Sequence, residues 1–128
     1  MCIRDSYNLR RQELKNAIPN VAHQAMVELE KNVNLHIVTQ NISGLSLKAG
    51  NDENTVIEMH GSLEKCQCVK HEEHVFPCFK DLTENDLCEI CGSKLRPYIT
   101  FFGEIPKRMD EIHERASSSD MFLSLIHI

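Results

Sequence analysis

Tryptophan is absent from this sequence, and aromatic residues supply only 5% of it. A core must therefore be assembled from Ile, Leu, Val and Met side chains. No apolar run approaches the length of a transmembrane helix, so no helical membrane partnership is expected. No block of Lys and Arg occurs, and 14 basic against 19 acidic residues leave a net charge of −5. That balance argues against nucleic acid or an anionic membrane surface as a partner. Internal repeats and low-complexity linkers are also missing.

The two ends read differently from the rest. The first six residues are MCIRDS and the last six LSLIHI. Written as the codons ATG TGT ATA AGA GAC AG, the first segment has the reverse complement CTG TCT CTT ATA CAC AT. That string translates as Leu-Ser-Leu-Ile-His and begins an Ile codon. Unrelated termini should not encode one another, so residues 1–6 and 123–128 read as the translation of one adapter end flanking an insert. Residues 7–122 are then expected to be an internal slice of a longer protein. Arg4 and Asp5 cancel, so the slice keeps the acidic balance.

Setting Cys2 aside leaves Cys66, Cys68, Cys78, Cys88 and Cys91. An odd count, a C-x-x-C pair and nearby histidines suit a metal site better than a disulfide framework. They also suit a reducing, cytoplasmic compartment.

Along the chain, Tyr7 to Ala17 has helical character, and Asn20 after Pro19 is a natural helix cap. Val21, Ala22, Ala25, Met26 and Leu29 recur at helical spacing and predict a buried stripe. Residues 35–39, LHIVT, predict a strand. NISGLSLKAG predicts a loop and a short helix closed by Gly50, and NTVIEM a second strand ending at His60-Gly61. Residues 62–96 are polar, rich in Cys and His, and irregular. YITFF predicts a third strand, KRMDEIHERA a helix, and DMFL the start of a fourth strand. Helix and strand alternate on both sides of a Cys-rich insertion. The pattern predicts an α/β fold with an incomplete Rossmann-like parallel sheet over 7–61 and 97–122, and a small zinc-binding module at 62–96.

Cys88-x-x-Cys91 followed by Gly92 forms half of a zinc knuckle: two thiolates grip one ion while glycine lets the backbone turn. Cys68-x-x-His71 has the same spacing and would complete a closed tetrahedral set. Cys66, His74 and Cys78 are rival ligands. A redox role for CEIC is disfavoured because no strand of the required βαβ kind leads into it. Four protein ligands leave no position for water, so this zinc is expected to be structural.

Three segments resemble sirtuin motifs and occur in that family's order. TQNISGLSLKAG is similar to T-Q-N-I-D-G-L-H-x-x-A-G. VIEMHGSL is similar to V-I-E-L-H-G-S-L, and CGSKLRPYITFFGEIP to C-G-x-L-R-P-x-V-x-F-F-G-E-x-P. The resemblance implies an NAD-dependent protein-lysine deacylase. By it, His60 is the general base that takes a proton from a ribose hydroxyl of NAD after the acyl oxygen has attacked the sugar. Imidazole suits that task because its ordinary titration range lies near neutrality.

The resemblance likewise puts Gln40 and Asn41 against the ribose and the reacting end of NAD. Ser43 stands where the family has an Asp in the nicotinamide pocket, and Ser46 where it has a His, so nicotinamide binding is expected to survive in weaker form. Phe102 and Gly103 fall in the segment whose backbone pairs with the substrate peptide, and Phe102 would line the acyl-lysine channel. YNLRR resembles the Y-N-x-R-R stretch of the desuccinylase and demalonylase branch, where Tyr7 and Arg10 would read an acidic acyl chain. The family's Gly-rich NAD loop should lie before Tyr7 and its G-T-S segment after Phe122, so the slice alone is expected not to turn over NAD. A non-catalytic zinc-ribbon module and an inert relative of the family are the alternatives.

Overall fold

The computed structural model describes residues 3–125. Met1, Cys2 and residues 126–128, parts of the two terminal segments set aside above, lie outside the described residues. Helix α1 runs from Ile3 to Leu14, so residues 3–6 are drawn into the same helix as Tyr7 and Arg10. Extending a helix adds a hydrogen bond per residue at little entropic cost once its nucleus exists. Helix α2, Val21–Glu30, starts where expected: the Asn20 side chain accepts from the backbone of Ala22 and His23, and His23 reaches back to the Asn20 N–H.

Strand β1 (Ile37–Thr39) and strand β2 (Val56–Glu58) pair in parallel, Ile37 opposite Val56. The crossover between them carries helix α3, Leu45–Ala49, closed by Gly50 as the sequence predicts. This β1–α3–β2 unit is the parallel part of the fold.

The Cys-rich region is more regular than its sequence suggests. Strand β3 (Gly61–Cys68), strand β4 (Val75–Pro77) and strand β5 (Leu95–Ile99) form an antiparallel sheet in the order β4-β3-β5. The stretch predicted as YITFF therefore enters this second sheet, pairing Tyr98 with Ser62 and Ile99 with Gly61, and ends before the two phenylalanines. A register shift between Ser62 and Cys66 hides the alternation in β3. Helix α4 (Met109–Ser118) follows, and DMFL forms no strand.

Leu14 of α1, Leu63 of β3 and Ile99 of β5 make one small core, with Tyr7 and Phe101 against it. Arg11 is almost fully buried beneath α1, its Nε donating to the Leu63 carbonyl at 2.7 Å. Asn8 trades two hydrogen bonds with the backbone of Leu82. Helix α1 is thus fastened to the antiparallel sheet. The stripe on α2 differs from its expectation: no α2 residue is buried, and Val21 is 80% exposed. Its main packing partner is the five-residue α3, too short to cover its apolar face.

Candidate functional site

His60 sits at the turn where the chain leaves the parallel pair and enters the antiparallel sheet. Hydrogen bonds hold its backbone from both directions. Met59 N–H donates to Thr39 O at 3.1 Å, Thr100 N–H to His60 O at 2.9 Å, and Lys107 N–H to Met59 O at 2.8 Å. Gly61 permits the junction: its φ is +87°, and a Cβ there would lie 1.9 Å from the Tyr98 carbonyl oxygen. The imidazole is partly exposed, neither packed in hydrocarbon nor among the metal-ligating side chains.

His60 Nδ1 lies 3.1 Å from the Gln40 carbonyl oxygen. A carbonyl only accepts, so that contact places the proton on Nδ1 and leaves the Nε2 lone pair free to take one. Gln40 thus acts on His60 through its backbone, and its exposed side chain points elsewhere than that contact. Asn41 and Ser43 come together in a recess with Thr39, Gly44 and Glu58. The Asn41 N–H donates to Thr39 Oγ1 at 3.1 Å. Glu58 was missed by sequence reasoning, although it lies two residues before His60. Burial raises the pKa of its carboxyl above the ordinary value, and its Oε1 is buried without a partner.

Tyr7 and Arg10 lie near one another on α1, the guanidinium 5.9 Å from the Tyr7 ring centre. Tyr7 also packs edge-on against Phe101, 5.7 Å between centroids. Of the two phenylalanines, Phe101 is therefore the packed one, whereas Phe102 is fully exposed. Gly103 beside it has φ +88°. A clamp the sequence did not reveal holds this loop. Arg96 forms a bidentate pair with Glu104 at 2.6 and 3.0 Å, and Glu104 Oε2 accepts from Phe101 N–H at 3.0 Å. The Arg96 bond and the Phe101 amide hold Glu104 far below its ordinary range, at about 2.

Among the described residues, Cys68, His74, Cys88 and Cys91 form a group able to hold a metal ion, their donor atoms lying within 4.8 Å of one another. His74, one of the rival ligands, stands in this group, while His71 gathers with His74 and Glu73. The reason is the turn between β3 and β4: His74 N–H closes it on His71 O, and Cys68 N–H donates to His74 O at 3.0 Å. That ladder bond sets His74 beside Cys68 and leaves His71 outside, facing Glu73 at 3.5 Å. His74 Nδ1 is 3.4 Å from Cys88 Sγ, and Cys68 Sγ is 3.5 Å from Cys91 Sγ. Cys88 N–H to Ser93 O and Gly92 N–H to Cys88 O form the knuckle turn. Hydrogen bonds from Ser93 bring the exposed Cys91 thiol down to about 6. Three soft sulfurs and one imidazole nitrogen at this spacing fit a tetrahedral zinc ion. In the full-length protein, His74→Ala should weaken zinc retention by more than about tenfold, and His71→Ala should leave it unchanged. Competition with a chromophoric chelator measures both, and equal losses would deny the assignment.

Among the described residues no helix is long and apolar enough to cross a membrane. Residues 3–126 match the family model described as the Sir2 family. An NAD-dependent protein deacylase of Bdellovibrio bacteriovorus is 42% identical over 125 residues, covering 93% of this chain and 52% of that protein. A Sir2 homolog solved as its NAD complex superposes with a TM-score of 0.73 at 35% identity, covering 88% of this chain and 43% of the other. A Sir2 protein bound to acetylated peptide gives a TM-score of 0.63 at 33% identity, covering 80% of this chain and 44% of that one. The chain spans about half the length of the curated relatives it matches. With the family model matching nearly the whole chain, a free-standing zinc ribbon no longer accounts for it, and the chain belongs to the Sir2 family, the sirtuins.

Proposed function

We propose that the full-length protein is an NAD-dependent protein-lysine deacylase that removes succinyl and malonyl as well as acetyl groups. The observation that carries the reading is the contact between His60 Nδ1 and the Gln40 carbonyl, which leaves Nε2 as a base at an open junction between two sheets. When bound, NAD supplies an electrophilic sugar carbon and the hydroxyl whose proton His60 accepts. Asn41 and Ser43 offer uncharged donors and acceptors in their shared recess, a suitable lining for a sugar next to a developing cation. Gln40 contributes its carbonyl to His60 and its side chain to the ribose. The exposed Phe102-Gly103 backbone offers an edge for an acyl-lysine peptide to add as a strand. Zinc, held by Cys68, His74, Cys88 and Cys91, braces the antiparallel sheet and takes no part in the chemistry. The 128-residue piece alone is not expected to turn over NAD.

The acidic-acyl preference rests on Tyr7 and Arg10, which share one face of α1 and already touch. An Arg–carboxylate pair is charge-assisted and can be bidentate, and the tyrosine hydroxyl adds one more bond. Arg10→Met in the full-length protein should lower kcat/KM on a succinyl-lysine peptide by about 10-fold to 100-fold, with deacetylation changed little. Equal losses on both peptides would reject Arg10 as the carboxylate reader.

A further inference from the structure

Among the described residues two cysteines remain outside the metal-ligating group, and they are not scattered. Cys66 and Cys78 are each 3% exposed and pack together with Leu82, flanked by Phe76 and Leu95. The ladder explains why they meet. Cys66 pairs with Phe76 and Lys65 with Pro77, and the Cys78 N–H donates to Glu64 O at 2.7 Å, continuing the same register. Cys78 therefore stands opposite Glu64, two residues from Cys66 along β3, and the two thiols meet in one buried cluster. Neither belongs to the group formed by Cys68, His74, Cys88 and Cys91.

We propose that Cys66 and Cys78 form a reversible redox modification site, a buried dithiol that a hydroperoxide converts to a disulfide while the neighbouring metal cluster keeps its ligands. Three features of the structure support it. The thiols share one buried cluster at adjoining positions of the ladder, so bond formation needs only a local closing movement. Strand β4 is three residues long and lies at the edge of its sheet, held by β3 alone. An edge strand this short can open to admit a small oxidant and then shift to close the bond. Finally, the Arg11 guanidinium is buried with Nη2 lacking a hydrogen-bond partner. Cys78 lies just past the end of that edge strand, so it is the thiol uncovered first when the strand opens and the attacking sulfur.

The chemistry balances. The Cys78 thiolate attacks one peroxide oxygen, an S–O bond forms, the O–O bond breaks, and hydroxide departs to become water. Cys66 sulfur then attacks the sulfenic sulfur; S–S forms, S–O breaks, and a second water leaves with the Cys66 proton. Two thiols are oxidised by two electrons in total and one peroxide is reduced to two waters. The product ties β4 to β3 and so fastens the sheet that begins immediately after His60.

The test uses full-length, zinc-loaded protein treated with one equivalent of hydrogen peroxide, denatured, alkylated without reductant and mapped by mass spectrometry. The expected result is a loss of about 2 Da, a peptide linking Cys66 to Cys78, unchanged zinc content and full reversal by dithiothreitol. Cys66→Ser should yield no linked peptide and instead a gain of about 16 or 32 Da on Cys78. Linked peptides from Cys68, Cys88 or Cys91 with zinc released, while Cys66 and Cys78 stay alkylatable, would overturn the proposal. So would the absence of any linkage in the wild-type protein, a readout that needs no variant to fold.

Discussion

Replacing His60 with alanine in the full-length protein should lower deacylation by about 10²-fold to 10⁴-fold, the usual contribution of a positioned general base. The fold should persist, because the ring is partly exposed and contributes a single hydrogen bond, to the Gln40 carbonyl. Its backbone bonds, from Thr100 N–H and through the neighbouring Met59, survive the change. The loss should appear in kcat with little change in KM for the peptide, since the imidazole holds a proton and does not hold the peptide. Nicotinamide exchange should also continue, because departure of nicotinamide precedes the proton transfer assigned to His60. Deacylation kinetics and exchange of labelled nicotinamide, measured side by side, decide the matter. Deacylation at the wild-type rate would remove His60 from the mechanism, and loss of both activities together with melting would reassign it to the fold.

Gly61→Ala should be more damaging than its size suggests. A Cβ at this position meets Tyr98 O at 1.9 Å and Tyr98 C at 2.8 Å, both main-chain atoms that no rotamer change can move. The φ of +87° adds strain for any residue with a side chain. Relief requires β3 and β5 to part where Gly61 pairs with Ile99, beside the turn that carries His60. A cost on the order of 3–5 kcal/mol follows from overpacking plus backbone strain. That is a large share of the stability of an ordinary domain, about 5–15 kcal/mol. Denaturant unfolding of the full-length variant is the measurement. Wild-type stability with normal deacylation would mean that the strands do not approach this closely.

Much of the local structure could be read directly. Asn20 caps α2 because its side chain reaches amides two and three residues ahead, and Gly50 closes α3 because the chain must turn there. The spacing of Cys88 and Cys91 forms a knuckle without help from distant residues. Arg11 could also have been found: four after Tyr7 and three before Leu14, it lies on the buried face of α1. Other features were hidden for physical reasons. A register shift in β3 erased its alternation, so a strand of eight residues read as irregular. The bidentate pair of Arg96 and Glu104 spans a bend, and ordinary charge patterning on a surface looks the same.

Taken alone, the sequence determined the start of α2, the end of α3, the two parallel strands, the order of three sirtuin-like segments and the sulfur-rich cluster suited to a metal. Each depends on residues close together in the chain, where propensity, capping and spacing act directly. Tertiary structure decided which histidine joins Cys68, which phenylalanine packs on Tyr7, which sheet receives Tyr98, and which nitrogen of His60 carries its proton. These outcomes depend on contacts made across turns and between separate elements, such as Cys68 N–H to His74 O, the His60 ring to Gln40 O and the Tyr7 ring to Phe101. Backbone donors and acceptors are alike at every residue, so only the folded arrangement selects which of them meet.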